Sequence, residues 1–374
     1  MKKVLILSTS TGYGHDQAAN SLKELIKNNN TEIVIHDFLK DNRLFNSSII
    51  NGYELCARFL GNIYGFFYRL INFNSINNIM SIFFLPVSKK LAKYILDFNP
   101  DVIISTHPLA INILSYLKKK KLINVPIISI VTDFECHATY VSKEVDQYIV
   151  ASQYTKKSLI SKGIDENKIA PFGIPVRQNF YEHDYHKYIP HLLDGPIKIL
   201  LMGGGMGLNN ISKVLKKLSE GNIPLELTVV CGKNNKLKNH LLKEYNNFKG
   251  NKKINILGYT TNIPEIMKNS DLIITKPGGL TTTESLLSQL PMIIPFIIPG
   301  QESENRDFLA QNNCAIPIRN LDELNIELSK FESDKDKLMN MKKSILKILE
   351  PYSHEDIVNL CNKIIDNSYK KRRY

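Results

Sequence analysis

The stretch Ser8 to Asn20, STSTGYGHDQAAN, follows a short apolar run and sets His15 between glycines and the start of a helical pattern. An imidazole at the carboxyl end of a strand and the mouth of a helix is disfavoured as imidazolium by the helix dipole, so it stays neutral and able to take a proton. A histidine that merely closes a turn would look the same, and the segment alone leaves both readings open. Asp133 and His137, in TDFECH, end a second apolar run and are competing candidates for a base. His107, in STHPLA, reads as a hydrogen-bonded or site-lining residue. His183, His186 and His191 show no spacing suited to a metal.

Three further stretches carry groups suited to an anionic or sugar ligand. LLMGGGMGLNN places Gly203, Gly204, Gly205 and Gly207 between a strand and a helix, where bare amides and a helix N-terminus can hold phosphate. It lacks the third glycine of the dinucleotide fingerprint, and the following strand ends in CGK without an acid for a ribose. TKPGGLTTTESLLSQ ends a strand in Gly278-Gly279 and continues into Thr281, Thr282, Thr283 and Glu284, a set suited to a diphosphate with a carboxylate for a ribose diol. The competing reading makes Thr281 an N-cap and Glu284 its capping-box partner. PGQESENRDF offers Gln301, Glu302 and Asn305, amide and carboxylate groups that match sugar hydroxyls.

The elements that must position these groups are short buried strands alternating with amphipathic helices. VLILS, EIVIHDF, DVIISTH, PIISIVTDF and QYIVAS read as parallel strands, and Ala18, Ala19, Leu22, Leu25 and Ile26 fall on one helical face after His15. EHDYHKYIPHLLDGP, residues 182–196, interrupts the pattern and reads as a linker. IKILLM, ELTVVCG, INILGY, DLIITKPGG and PMIIPF then repeat it. The fold expected is α/β, two Rossmann-like, doubly wound parallel-sheet domains facing across a cleft where a ligand would bind. The expected boundaries are 1–186, 187–350, and 351–374 for a closing helix with the basic end KKRRY, drawn as crossing back to the first domain.

The chain has 374 residues, 43% of them hydrophobic and 22% charged, which suits two ordinary folded domains. Forty-eight Lys and Arg against 36 Asp and Glu give a formal charge of +12, pointing to anionic partners. No arrangement typical of RNA or DNA readers organises those charges, so nucleic acid is not expected. Cys56, Cys136, Cys231, Cys314 and Cys361 are scattered and odd in number, which argues against a disulfide framework or zinc site. Met1-Lys2-Lys3 precedes only VLIL, a first strand rather than a signal peptide, so a cytosolic start is expected. No apolar run reaches the length of a spanning helix. Between Phe45 and Phe84 lie ten aromatics, among them Phe59, Tyr64, Phe66, Phe67, Phe83 and Phe84, and residues 40–94 hold seven basic side chains, Arg69 included, against two acidic ones. Such a segment suits an anionic membrane surface, as does LKKKKL at 117–122, although a helical core and a solvated turn fit the same residues.

GYGHDQAA, VTDFECHATYVSKEVDQYIVAS, FGIPVRQNF, VVCGKNNKL, TKPGGLTTTESL and PGQESEN together resemble the bacterial processive diacylglycerol beta-glucosyltransferases. These are relatives of plant monogalactosyldiacylglycerol synthase and, more distantly, of the glycosyltransferase acting on lipid I. The resemblance runs from residue 4 to about 345 and implies a GT-B enzyme, inverting and metal-independent, with no cofactor. Its substrates would be a UDP-hexose, glucose ahead of galactose, and diacylglycerol, with the protein peripheral at the cytoplasmic membrane face and sugar addition in some members repeated. It places His15 at the reaction centre; Gly14, Gly203, Gly204, Gly205, Gly207, Lys276, Gly278, Gly279, Thr281, Thr282 and Thr283 around the donor diphosphate; Glu284 at the ribose; Tyr259 and Thr260 at the uracil; and Gln301, Glu302 and Asn305 at the hexose. Tyr140 stands where members of that family carry tryptophan, and is expected at the acceptor. Transfer to another lipid or polyprenyl carrier, and a UDP-sugar sensor without catalysis, are the alternatives. The one Asp-x-Asp, Asp334 and Asp336, lies in a charged stretch away from the strand ends, so no metal clamp is expected.

Overall fold

The computed structural model describes residues 1–9, 13–40, 85–182, 184–187, 195–203, 210–246, 248 and 250–373. The chain divides into two units. Unit 1 comprises Met1–Gln178, Pro299–Gln301 and Pro351–Tyr374, and unit 2 comprises Asn179–Ile298 and Glu302–Glu350.

In unit 1 the described elements are β1 (Lys2–Ser8), α1 (Tyr13–Ile26), β2 (Thr31–Asp37), α2 (Leu85–Phe98), β3 (Val102–Ser105), α3 (Pro108–Lys119), β4 (Ile127–Ile130), β5 (Gln147–Ile149), α4 (Gln153–Ser161) and β6 (Ile169–Ala170). The strands form one parallel sheet in the order β2-β1-β3-β4-β5-β6. Its central strands are mainly apolar, with Ser105 and Ser129 also buried, because both faces are covered. Leu5, Leu7, Ile103 and Ile127 point to one side, packed with α2 and α3, and Val4, Ile6, Val102, Ile104, Ile128 and Ile130 to the other, packed with α1.

Unit 2 contains β7 (Ile197–Met202), α5 (Asn210–Glu220), β8 (Leu225–Val230), α6 (Asn235–Tyr245), β9 (Lys252–Leu257), α7 (Ile263–Lys268), β10 (Leu272–Ile274), α8 (Gly279–Leu287), β11 (Met292–Ile294), α9 (Gln301–Gln311, its first residue grouped with unit 1), β12 (Ala315–Pro317), α10 (Glu323–Ser333) and α11 (Lys335–Leu349). Its parallel sheet runs β12-β11-β10-β7-β8-β9. The last helix, α12 (His354–Lys371), packs on unit 1, with Ile357, Cys361 and Ile365 buried among Val4, Ile6 and Ile104.

The sequence places the change of domain at 186/187, whereas the structure places it at Gln178/Asn179. The reason is local: the Gln289 amide donates to the carbonyls of Tyr185 (3.2 Å) and Lys187 (2.7 Å), tying that stretch to unit 2. Strand order reverses between β1 and β3 in the first sheet and between β7 and β10 in the second, and ligands in such sheets sit at the carboxyl ends of the strands there. The residues that follow β1 and β10 are therefore the ones to inspect.

Candidate active site

His15 is the third residue of α1, delivered from β1 to the carboxyl ends of β3 and β4. Its Nδ1 lies 2.7 Å from the Thr106 carbonyl oxygen and 3.1 Å from Thr132 Oγ1. A carbonyl can only accept, so Nδ1 carries the proton and Nε2 carries the lone pair. Thr106 also donates from Oγ1 to the His15 carbonyl (3.1 Å), so one residue holds both the ring and the main chain. The residue keeps partial exposure while its ring is densely surrounded, and this desolvation lowers its pKa to about 4 despite the Thr106 carbonyl, which favours the cation. Next to it, Asp16 accepts from Ser8 Oγ at 2.6 Å, and burial raises its pKa.

His107 and His137 use their rings differently. His107 caps α3 by accepting from the Leu109 amide (3.2 Å) at Nδ1, and His137 caps the 3-10 turn Ala138–Tyr140 by accepting from the Thr139 amide (3.3 Å) at Nδ1. The Nδ1 of each thus faces a backbone amide, and His137 Nδ1 also lies 2.7 Å from Thr139 Oγ1. Asp133 is buried and accepts from Gln301 Nε2 at 3.1 Å, so the structure brings together two residues that the sequence singled out for different roles. Tyr140, expected at the acceptor, is 0% exposed, with its hydroxyl 3.1 Å from Thr132 Oγ1. Its ring belongs to the core of unit 1.

In unit 2, β10 runs through Thr275 and Lys276 into α8, whose N-cap is Gly278 and whose first helical residue is Gly279. The helix thus starts two positions ahead of Thr281, and the capping-box reading of Thr281 and Glu284 does not hold. The first intrahelical bond runs from the Thr282 amide to the Gly278 carbonyl (2.8 Å), so the amides of Gly279, Leu280 and Thr281 have no acceptor within the helix. Thr283 Oγ1 is occupied by the Gly279 carbonyl (2.9 Å), and Thr282 Oγ1 is buried with no partner among the described residues. Lys276 Nζ is ion-paired with Glu302, whose second oxygen accepts from the Ile298 amide at 2.7 Å. Asn305, 0% exposed, donates to the Pro277 carbonyl at 2.9 Å. Glu302 and Asn305, expected on the hexose, brace the turn that carries Lys276 and Gly278.

Glu284 is buried one turn into α8. Tyr259 is 66% exposed with Lys233 Nζ 5.8 Å from its ring centre, and Thr260 Oγ1 accepts from the Asn262 amide at 3.1 Å. Gly203 is buried at the end of β7, and a methyl group at Gly14 would meet nothing within 4 Å. Gly204, Gly205, Gly207, Phe59, Tyr64, Phe66, Phe67, Arg69, Phe83 and Phe84 lie outside the described residues.

Residues 15–176 match the family described as monogalactosyldiacylglycerol (MGDG) synthase, and residues 198–355 match the glycosyltransferase family 28 C-terminal domain. The processive diacylglycerol beta-glucosyltransferase of Bacillus cereus (strain G9842) is 30% identical over 363 residues, 94% of this chain and 92% of that relative. The chain belongs to the diacylglycerol glycosyltransferase family. The Bacillus subtilis (strain 168) protein of the same name is also 30% identical, over 92% of this chain and 90% of its own. Among solved structures, MurG of Acinetobacter baumannii aligns with a TM-score of 0.65 and 14% identity, covering 97% of this chain and 100% of that one, and the fold is of the GT-B type.

Sequence reasoning missed Thr106 and Thr132 in this diacylglycerol glycosyltransferase family member, although they are the two residues that hold the His15 ring. The available signal was their position: Thr106 directly after a buried strand in VIISTH, and Thr132 two positions past one in IISIVTD, where the carboxyl ends of a parallel sheet gather functional groups.

Proposed function

We infer that this chain is an inverting, metal-independent glycosyltransferase that moves a hexose, glucose ahead of galactose, from UDP to the hydroxyl of diacylglycerol. The observation that carries the reading is His15: a neutral imidazole at a topological switch point, protonated at Nδ1 by its contact with the Thr106 carbonyl and with its Nε2 lone pair unpartnered among the described residues. Membership in a family with relatives named for diacylglycerol glucosyl transfer supplies the substrate class.

In the reaction, His15 Nε2 takes the proton of the acceptor hydroxyl as its oxygen bonds to the anomeric carbon. The bond from that carbon to the UDP oxygen breaks on the opposite face, inverting the centre. General base catalysis of this kind contributes about 10²- to 10⁴-fold. The electron pair leaves with the diphosphate, whose growing charge suits the free amides at the start of α8 and the Lys276 ammonium; a preorganised donor set of this sort contributes on the order of 3 kcal/mol. Glu284 accepts from the ribose diol. Gln301, Glu302 and Asn305 are the candidates for the hexose hydroxyls. Peripheral attachment at the cytoplasmic membrane face completes the proposal. It is supported by the basic balance of residues 40–94 and by the finding that no helix among the described residues is long and apolar enough to cross a membrane.

The test is direct. Purified protein is incubated with labelled UDP-glucose, UDP-galactose or UDP-N-acetylglucosamine and liposomes containing diacylglycerol. Labelled glycolipid from UDP-glucose is the expected product. Label in no lipid with any donor overturns the reading for this acceptor, and label appearing only when polyprenyl phosphate is present reassigns the acceptor.

A further inference from the structure

Among the described residues, the hydrogen-bond partners of His15 do not include a carboxylate. Its Nδ1–H faces two oxygens of different kinds, the main-chain carbonyl of Thr106 and the hydroxyl of Thr132. The carbonyl is fixed by the sheet, since the Thr106 amide donates to the Leu7 carbonyl at 3.1 Å. The hydroxyl is a side chain and must be held. Thr132 lies two positions past the end of β4, is 6% exposed, and as a β-branched residue has few rotamers. Its Oγ1 is 3.1 Å from Tyr140 OH. Tyr140 is itself fixed: its amide donates to His137 O at 3.0 Å, and its carbonyl accepts from Tyr148 OH at 3.0 Å. That one O–H is shared with Ser142 O (2.8 Å), and the Tyr148 oxygen accepts from Ser142 N (2.9 Å). The aromatic hydroxyls behind Thr132 are buried and held protonated.

The geometry points to Thr132 as a positioning residue of the reaction: with Tyr140 behind it, its hydroxyl completes a two-oxygen acceptor that fixes the tautomer and plane of the His15 ring and so aims the Nε2 lone pair. The inference rests on the reading of His15 as the base. A single carbonyl leaves the imidazole free to tilt about that contact, whereas a second acceptor on the same N–H defines the ring plane. Misplacement of a reacting group by an ångström is enough to lower turnover by orders of magnitude. The same arrangement explains why Tyr140 is buried rather than presented to a ligand.

The experiment compares the full-length protein with Thr132→Val, Thr132→Ser and Tyr140→Phe. Two things are read: kcat and KM for UDP-glucose with diacylglycerol liposomes, and the 15N signals of selectively labelled histidine, with His15→Gln to assign them. The wild-type His15 signals are expected to show one tautomer, protonated at Nδ1. In Thr132→Val they are expected to average toward mixed tautomers, with kcat lowered roughly tenfold and KM for the donor within about twofold. Thr132→Ser restores both the spectrum and most of kcat, and Tyr140→Phe falls between. A wild-type ring protonated at Nε2 overturns the inference without any variant. So does a Thr132→Val protein with unchanged signals and unchanged kcat, or a loss that serine does not rescue. If His15→Gln keeps full turnover, the base reading fails, and the tautomer shift in Thr132→Val then reports on the ring alone.

Discussion

The imidazoles of His15 and His107 meet edge to face, 4.5 Å between ring centres with their planes 68° apart. Two imidazolium ions at that distance would repel in a desolvated setting, and burial together with this proximity keeps His107 well below the usual histidine range. The pair is neutral at physiological pH, with His107 spending its Nδ1 lone pair on the cap of α3.

A pH consequence follows from the sign of these shifts. With His15 at about 4 in the folded protein, the acid limb of kcat/KM is expected well below pH 6.5, and activity due to this group is flat from about pH 6 upward. Stability moves the same way. The unfolded chain binds protons on these histidines near pH 6.5 and the folded chain does not, so their contribution to stability declines as pH falls from that value toward 4. A pH–rate profile and thermal melts over that range check both; an acid limb centred near 6.5 contradicts the desolvated base.

Removing the imidazole separates chemistry from donor binding. His15→Ala is expected to lower turnover at least about a hundredfold while leaving UDP affinity nearly unchanged, measured by glycolipid formation and by calorimetry with UDP. Full turnover in the variant moves the base to Asp133 or His137.

The Lys276–Glu302 pair gives a prediction in unit 2. Both side chains are largely buried, and Glu302 also accepts the Ile298 amide. Glu302→Ala leaves the ammonium unpaired and the amide unsatisfied, which should cost about 3 kcal/mol in the unfolding of unit 2 and weaken UDP binding through the displaced Lys276 turn. Denaturant titration and UDP calorimetry read the two effects separately. A variant with unchanged midpoint shows that the pair is solvated.

Donor activation by protein groups alone predicts indifference to chelators. Turnover in excess EDTA should stay within about twofold of the untreated rate. A loss restored by magnesium or manganese assigns leaving-group stabilisation to a metal ion.

What could be read from the residues divides along a physical line. Strands such as VLILS and DVIISTH are legible because a parallel strand covered on both faces must be apolar throughout, and the helix after His15 is legible from Ala18, Ala19, Leu22 and Ile26. Partnerships were not legible. His15 meets Thr132 across 117 positions and Asp133 meets Gln301 across 168, and nothing local encodes either distance. Tyr140, Glu302 and Asn305 are expected at ligands from the family resemblance, and the residues alone do not show that each also meets a protein neighbour: Thr132, Lys276 and Pro277 respectively. Composition marks a polar group as available, and only packing shows whether it has been used internally.

The packing of α12 on β1 has a consequence for biosynthesis. Ile357, Cys361 and Ile365 close the face of the sheet that carries Val4 and Ile6; Lys2 pairs with Asp366 at 2.5 Å, and Ser368 donates to the Asp101 carbonyl at 2.6 Å. On a ribosome, α1 can cover its part of that face, but the part that α12 closes stays open while the whole of unit 2 is made, and vectorial folding cannot finish the amino-terminal half first. A nascent chain arrested at residue 350 therefore displays an uncovered stripe of isoleucine and valine, a natural substrate for chaperones until the closing helix emerges.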